Sequence, residues 1–179
     1  MKLENKVALI TGGSRGIGKA VAAAFAHEGA KLALCARSTD ELQQTVAELH
    51  GMKAQAQGWP CDVTMESSVK DFVHEAQRAF GRIDILVNNA GVMTRPAPMV
   101  ELEVRKWDYT IAVNLRGPFL ATQAVPPFML KQKSGSVINV SSTIGRGAYA
   151  NLSPTPRPSG AWKDSLKLSL QSYARATSR

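Results

Sequence analysis

Val7-Ala8-Leu9-Ile10-Thr11-Gly12-Gly13-Ser14-Arg15-Gly16-Ile17-Gly18 decides the fold. Residues 7–10 are an unbroken apolar run, short enough for a buried strand. Residues 17–27 carry apolar positions at helical spacing, with Val21, Ala24 and Phe25 expected to face inward. Between them lies a turn almost without side chains, in which backbone can approach a bound group closely. The N–H groups that open the following helix point at that same place, which suits a pyrophosphate. The glycines are spaced G-x-x-x-G-x-G, not the G-x-G-x-x-G of the general dinucleotide fingerprint.

Downstream, apolar and helical segments keep alternating, the pattern of a doubly wound parallel α/β sheet of Rossmann-like type. Residues 31–36 read as the second strand, after which Ser38 or Thr39 can cap a helix carrying Glu41 in its first turn. Residues 53–58 read as a weaker third strand. Residues 69–80 read as a helix with Phe72, Val73, Ala76 and Phe80 on one face, and 83–87 as the fourth strand. Helices are expected at 104–114 and 119–131, and a fifth strand at 136–140. Nothing after Val140 reads as a sixth strand, so the C-terminal strands of the doubly wound fold are missing from the pattern. The fifth is left at an open edge with Val137 and Ile138.

Composition narrows the function. The chain has 179 residues, 44% apolar and 20% charged, which fits one globular domain. It has no apolar run of membrane-spanning length and no signal-peptide core, so the cytoplasm is the default compartment and a membrane partner is not expected. The net charge of +8 raises nucleic-acid binding, but its distribution argues against it. Arg157, Lys163, Lys167, Arg175 and Arg179 against Asp164 place half the excess in the last segment, and elsewhere basic residues alternate with acidic ones. Cys35 and Cys61 are isolated thiols without metal-ligand spacing, so no metal site is expected.

The end of the second strand selects the cofactor. A carboxylate there would bind a ribose 2′-hydroxyl, whereas arginine suits a 2′-phosphate. The chain has Ala36-Arg37-Ser38, with no carboxylate before Asp40, and Arg15 stands in the glycine turn. NADP is therefore expected rather than NAD, held by Gly12, Ser14, Arg15, Gly16, Ile17, Gly18 and Arg37.

Three further segments carry a resemblance. Cys61-Asp62-Val63, Asn88-Asn89-Ala90-Gly91 after the fourth strand, and Ile138-Asn139-Val140-Ser141-Ser142 with Gly145 and Asn151-Leu152-Ser153-Pro154 resemble the short-chain dehydrogenases/reductases, as does the glycine spacing. The likeness runs almost continuously over residues 6–154. It implies hydride transfer between an alcohol and a ketone, as in 3-oxoacyl carrier-protein reductases or sugar and polyol dehydrogenases, on a small carbonyl or alcohol substrate. It implies that Asp62 and Val63 meet the adenine, and that Asn89, Ala90 and Gly91 line the cofactor cleft. Ser142 would hydrogen-bond the substrate oxygen, and Asn114 would hold a water that links the family's Lys to solvent. A homo-oligomer is implied as well.

The same resemblance fails at one point. The family's proton-donating Tyr and its companion Lys fall where this chain has Thr155 and Ser159. A threonine hydroxyl is far too weakly acidic to replace a phenol near neutral pH, and Ser159 brings no positive charge. Tyr149 and Tyr173 are not placed to substitute. Thr155-Pro156-Arg157-Pro158-Ser159 is what Tyr-Ser-Ala-Ser-Lys becomes when its codons are read one nucleotide late (TAC TCC GCG TCC AAG C gives ACT CCG CGT CCA AGC). The expectation is an incomplete dinucleotide-binding domain over 1–154 and an atypical tail over 155–179, truncated and frameshifted after Pro154. Pro154, Pro156 and Pro158 also bar a helix there, which puts assembly in doubt. Catalytic inactivity is the alternative to the oxidoreductase reading.

Overall fold

The computed structural model describes residues 1–142 except 94, 96 and 97. These divide into two compact units, Met1–Gly91 with Arg116–Val140, and Val92–Leu115 with Ser141 and Ser142.

The first unit holds a parallel sheet of five strands in the order β3-β2-β1-β4-β5. They are β1 (Val7–Thr11), β2 (Lys31–Ala36), β3 (Ala56–Pro60), β4 (Ile85–Asn88) and β5 (Ser136–Asn139). The reversal of strand order lies between β1 and β4, where a doubly wound sheet opens its ligand crevice at the carboxyl ends. β1 is buried along its whole length, as a central strand covered on both faces must be. One face packs Ala8, Ile10, Leu32 and Leu34 against Ala22 of α1 (Gly16–His27) and Leu42, Val46 and Leu49 of α2 (Thr39–Gly51). The other face meets α3 (Glu66–Phe80) and α5 (Gly117–Ala124). On α3, Val69, Phe72, Val73 and Ala76 are buried, and Trp59 of β3 lies 6.1 Å from the Phe72 ring and 6.5 Å from Phe80.

Details of four elements differ from the sequence expectation. On α1, Ala22 is fully buried and Ala24 is exposed, so the inward stripe is rotated from the expected one; Val21 and Phe25 are partly buried beside it. In an alanine-rich helix the bulkier neighbours set the face, and alanines alone do not mark it. The third strand begins at Ala56, not at Lys53. Lys53 takes a left-handed φ of 62° and, with Ala54, closes α2 through bonds to His50 and Leu49 carbonyls, so ladder pairing starts at Leu32 opposite Ala56. The expected helix at 119–131 is two, α5 and α6 (Pro126–Gln132). Pro126 and Pro127 lack the amides that would continue the ladder, and Pro126 instead starts a new helix. Cys35 and Cys61 are both buried free thiols, as small core residues; Cys61 Sγ donates to the Ser68 carbonyl at 3.5 Å, and burial pushes the Cys35 thiol up.

β5 pairs only with β4 among the described residues, and Ile138 is partly exposed on it. In the second unit, a 3-10 turn (Met99–Glu101) precedes α4 (Val104–Ile111). A π turn, Ala112–Arg116, follows α4 where the sequence suggested helix through residue 114. Thr155 and Ser159, where the resemblance places a Tyr and a Lys, lie outside the described residues, as does the rest of the tail.

Candidate functional site

The turn after β1 is fixed from three sides. Gly12 has φ +67°, and a side chain on it would lie 2.9 Å from the Ala90 backbone. Gly13 donates its N–H to the Cys35 carbonyl at 3.0 Å, tying the turn to the end of β2. Gly18 carries the tightest approach: a Cβ there would sit 2.2 Å from the Gly12 carbonyl oxygen and 2.5 Å from the Asn89 amide nitrogen. Helix α1 therefore crosses the turn at a separation only hydrogen permits.

Gly16 differs from these. Its φ is +55°, yet a Cβ would meet nothing within 4 Å. Here the backbone conformation, not crowding by protein, calls for glycine, and the space above it is open. Arg15 caps α1 without a side-chain bond to the helix, so the first amides of α1 have no capping acceptor from it. Ile17 is largely exposed at the same rim. Open space, helix-opening N–H groups that the Arg15 side chain does not cap, and the positive end of a helix dipole can receive an anion. The residues present thus fit a dinucleotide pyrophosphate.

The Asn88-Asn89-Ala90-Gly91 segment splits into two jobs. Asn88, buried at the end of β4, donates through its side chain to Asn139 of β5 at 2.8 Å and to Thr122 of α5 at 3.1 Å, which braces the sheet. Asn89 faces the turn, its side-chain amide donating to the carbonyls of Thr11 at 3.0 Å and Gly12 at 3.1 Å. The Thr11 hydroxyl accepts from the N–H groups of both Asn89 and Ala90 at 3.1 Å. Thr11 is a residue the sequence reading missed. Only the adjacency of β1 and β4 reveals it as the post joining the two loops.

Asp62 and Val63 follow β3. The Asp62 carboxylate accepts from the Thr64 N–H and hydroxyl at 2.9 and 2.8 Å, holding its own loop, and Val63 is buried beneath Gly117. Arg37 is exposed just past β2. A cavity of about 310 Å³ opens beside the glycine turn, lined by Ser14, Arg15, Gly16, Lys19, Glu41, Gln44 and Thr45. Thr45 anchors it by donating to the Ser14 carbonyl at 2.7 Å. Glu41 reaches across from α2 so that one oxygen lies 3.3 Å from Arg15 Nη1 and the other accepts from the Ser14 hydroxyl at 3.3 Å. The sequence marked Glu41 only as a helix-dipole partner.

In the second unit Asn114 sits in the π turn, a distortion common at functional sites. Its side-chain oxygen accepts from the Val92 N–H at 2.8 Å and its amide donates to the Val92 carbonyl at 2.7 Å. Both ends of the amide are engaged on one residue of the segment that leaves Gly91. Ser142 is exposed three residues beyond β5.

A parallel doubly wound sheet with a glycine turn at its switch point defines a dinucleotide-binding α/β protein. The family model described as short chain dehydrogenase matches residues 6–154. The chain belongs to that family. It is 44% identical over 145 residues to 3-oxoacyl-[acyl-carrier-protein] reductase of Thermotoga maritima, covering 81% of this chain and 58% of that protein. An uncharacterized oxidoreductase of Bacillus subtilis is 40% identical over 174 residues, 97% of this chain and 63% of the other. The chain thus spans about three fifths of the length of these two relatives. Among solved structures, a metagenomic short-chain oxidoreductase in complex with NADP superposes with TM-score 0.91 at 31% identity, covering 98% of this chain and 79% of that one. NAD+-bound xylitol dehydrogenase superposes with TM-score 0.92 at 31% identity, covering 97% and 68%. Among the described residues, no helix is long and apolar enough to cross a membrane and no group of metal-ligating side chains is assembled.

Proposed function

We propose that this chain is built to bind NADP through its glycine turn and belongs to an oxidoreductase that interconverts an alcohol and a ketone. The observation that carries the reading is Gly16, held at positive φ over open space at the mouth of α1. Arg37 beyond β2 and Arg15 in the turn supply cations for a 2′-phosphate. The bound nicotinamide would supply hydride. In the same reading Gly12, Ser14, Ile17 and Gly18 shape the pyrophosphate seat, Asp62 and Val63 border the adenine, and Asn89, Ala90 and Gly91 line the cleft. Ser142 hydrogen-bonds a small carbonyl or alcohol substrate, and Asn114 holds a water. The protein works in the cytoplasm, without nucleic acid or membrane as partner.

A second reading concerns turnover, and it rests on Thr155 and Ser159. With neither phenol nor ammonium at those positions, residues 1–154 form a cofactor-binding domain that lacks its proton donor. A one-nucleotide frame shift after Pro154 accounts for all five residues from Thr155 to Ser159. One comparison weighs against the shift: the Bacillus alignment takes in 174 of the 179 residues, so it runs well into the tail.

NADPH oxidation measured with a broad ketone panel tests both readings. The chain as written is expected to bind NADPH and show turnover at least about a hundredfold below the Thr155→Tyr/Ser159→Lys variant, the usual worth of a positioned general acid. Turnover by the chain as written that Ser142→Ala abolishes would overturn the inactive reading. Failure to bind NADPH would overturn the first.

A further inference from the structure

We infer that Glu41 is a built-in anion occupying the seat of the cofactor's 2′-phosphate, and that it sets how far this chain prefers NADP to NAD. The inference rests on the cofactor reading above and adds a residue to it.

Glu41 is the third residue of α2, the helix that begins where β2 ends, and this corner is where the ribose 2′ substituent is read. The backbone N–H of Glu41 is taken by the Ser38 cap at 3.5 Å. Its carboxylate reaches across to the glycine turn. There it engages one guanidinium and one hydroxyl, Arg15 and Ser14, each at 3.3 Å. A guanidinium and a hydroxyl are also what a phosphate monoester takes, and Arg binds phosphate with two parallel bonds. The two anions compete for one set of donors.

The competition is one the phosphate can win. Both contacts are long, and the Arg15 and Glu41 side chains are 79% and 43% exposed, so the pair is a weak surface ion pair. It is not free, however. NADP must displace the carboxylate and then tolerate it nearby, and a dianion beside a carboxylate is repelled. NAD brings no charge to this corner, and its ribose hydroxyl can donate to Glu41 as it stands. Glu41 therefore pulls against Arg37 and Arg15, holding the preference for NADP below what those cations alone would give. Lys19 borders the same cavity, but its ammonium is committed to Glu48 at 2.6 Å, so Arg15 is the cation that Glu41 masks.

The test is a fluorescence titration of NADPH and NADH into the full chain, with 2′,5′-ADP and 5′-AMP as competitors that isolate the 2′-phosphate. Glu41→Gln is expected to tighten NADPH by about tenfold, from lost repulsion and a freed Arg15, and to change NADH by less than about threefold. In an Arg15→Met background the same substitution should tighten NADPH by less than about threefold, because no guanidinium remains to be freed. A ratio of the two affinities that Glu41→Gln leaves within about twofold, or moves toward NADH, would overturn the inference. So would a gain that persists in full without Arg15. If neither nucleotide binds the wild-type chain while its thermal melt is cooperative, the cofactor reading itself fails and this inference falls with it.

Discussion

Gly18→Ala will destabilise the protein by about 3 kcal/mol, lowering Tm by roughly 6–12 °C for a chain of this size. Two effects oppose each other. Alanine is the better helix former by about 1 kcal/mol. Against that, the added methyl would stand 2.2 Å from the Gly12 carbonyl oxygen and 2.9 Å from its carbon, inside van der Waals contact. The neighbour is backbone, and that backbone is pinned by the Asn89 amide at 3.1 Å. The helix must move away from the turn or the turn must unbuckle, so the clash wins. Gly51→Ala is the matched control. Gly51 lies in α2, has nothing within 4 Å of its Cβ position and no left-handed φ, so only the propensity term remains. Its Tm should rise slightly or stay unchanged. A lowered Tm for Gly18→Ala beside an unchanged or raised Tm for Gly51→Ala verifies the argument; equal shifts would refute it.

Asp84→Asn will cost about 2–3 kcal/mol at neutral pH, most of it the penalty for leaving ionic donors without their acceptor. The Asp84 side chain is only 3% exposed, just before β4. One oxygen accepts from the Val7 N–H at 2.9 Å and from Arg82 Nε at 2.7 Å; the other faces Arg82 Nη2 at 2.6 Å and Lys6 Nζ at 3.5 Å. It joins the start of β1 to the approach to β4, the two strands that flank the switch point. Burial alone would raise its carboxyl, but the Arg82 guanidinium, the Val7 amide and Lys6 together hold it below the usual carboxylate range. Because the folded value lies below the unfolded one, the stabilisation is fully present above an ordinary Asp pKa of about 3.9 and is lost as pH falls through the folded value. Urea midpoints of wild type and Asp84→Asn should therefore differ most at neutral pH and converge below about pH 4. A gap that stays constant down to acid would mean the carboxylate's charge is not what stabilises.

How much of this could be read in advance follows a physical line. The glycine turn was legible because its requirements are local: φ at Gly12 and Gly16 and the crossing at Gly18 are written in the spacing itself. The cap of α2, narrowed to Ser38 or Thr39 and found at Ser38, and the buried face of α3 are legible for the same reason. What escaped was contact between distant segments. Thr11 joins Asn89 across 78 positions and Glu41 joins Ser14 across 27. No periodicity carries that information, because it depends on which strands lie side by side. The start of β3 is not legible in the sequence, since Lys53 adopts a left-handed conformation that lysine seldom takes. Cys61 lies beside the end of β2, its N–H donating to the Ala36 carbonyl, because β2 and β3 end together.

The central claim is that the space above Gly16 receives a nucleotide pyrophosphate, and one comparison reaches it directly. NADPH is titrated into the wild-type chain and into Gly16→Ala, with a thermal melt of each. A methyl on Gly16 meets no protein atom within 4 Å, so the fold should survive, at a cost of about 1–2 kcal/mol for an L-residue held at positive φ. The methyl would enter the space assigned to the phosphates and displace one or two of their charge-assisted bonds. The account predicts that wild type saturates and that Gly16→Ala binds at least about tenfold more weakly while melting cooperatively. A folded Gly16→Ala that binds NADPH as tightly as wild type would contradict it.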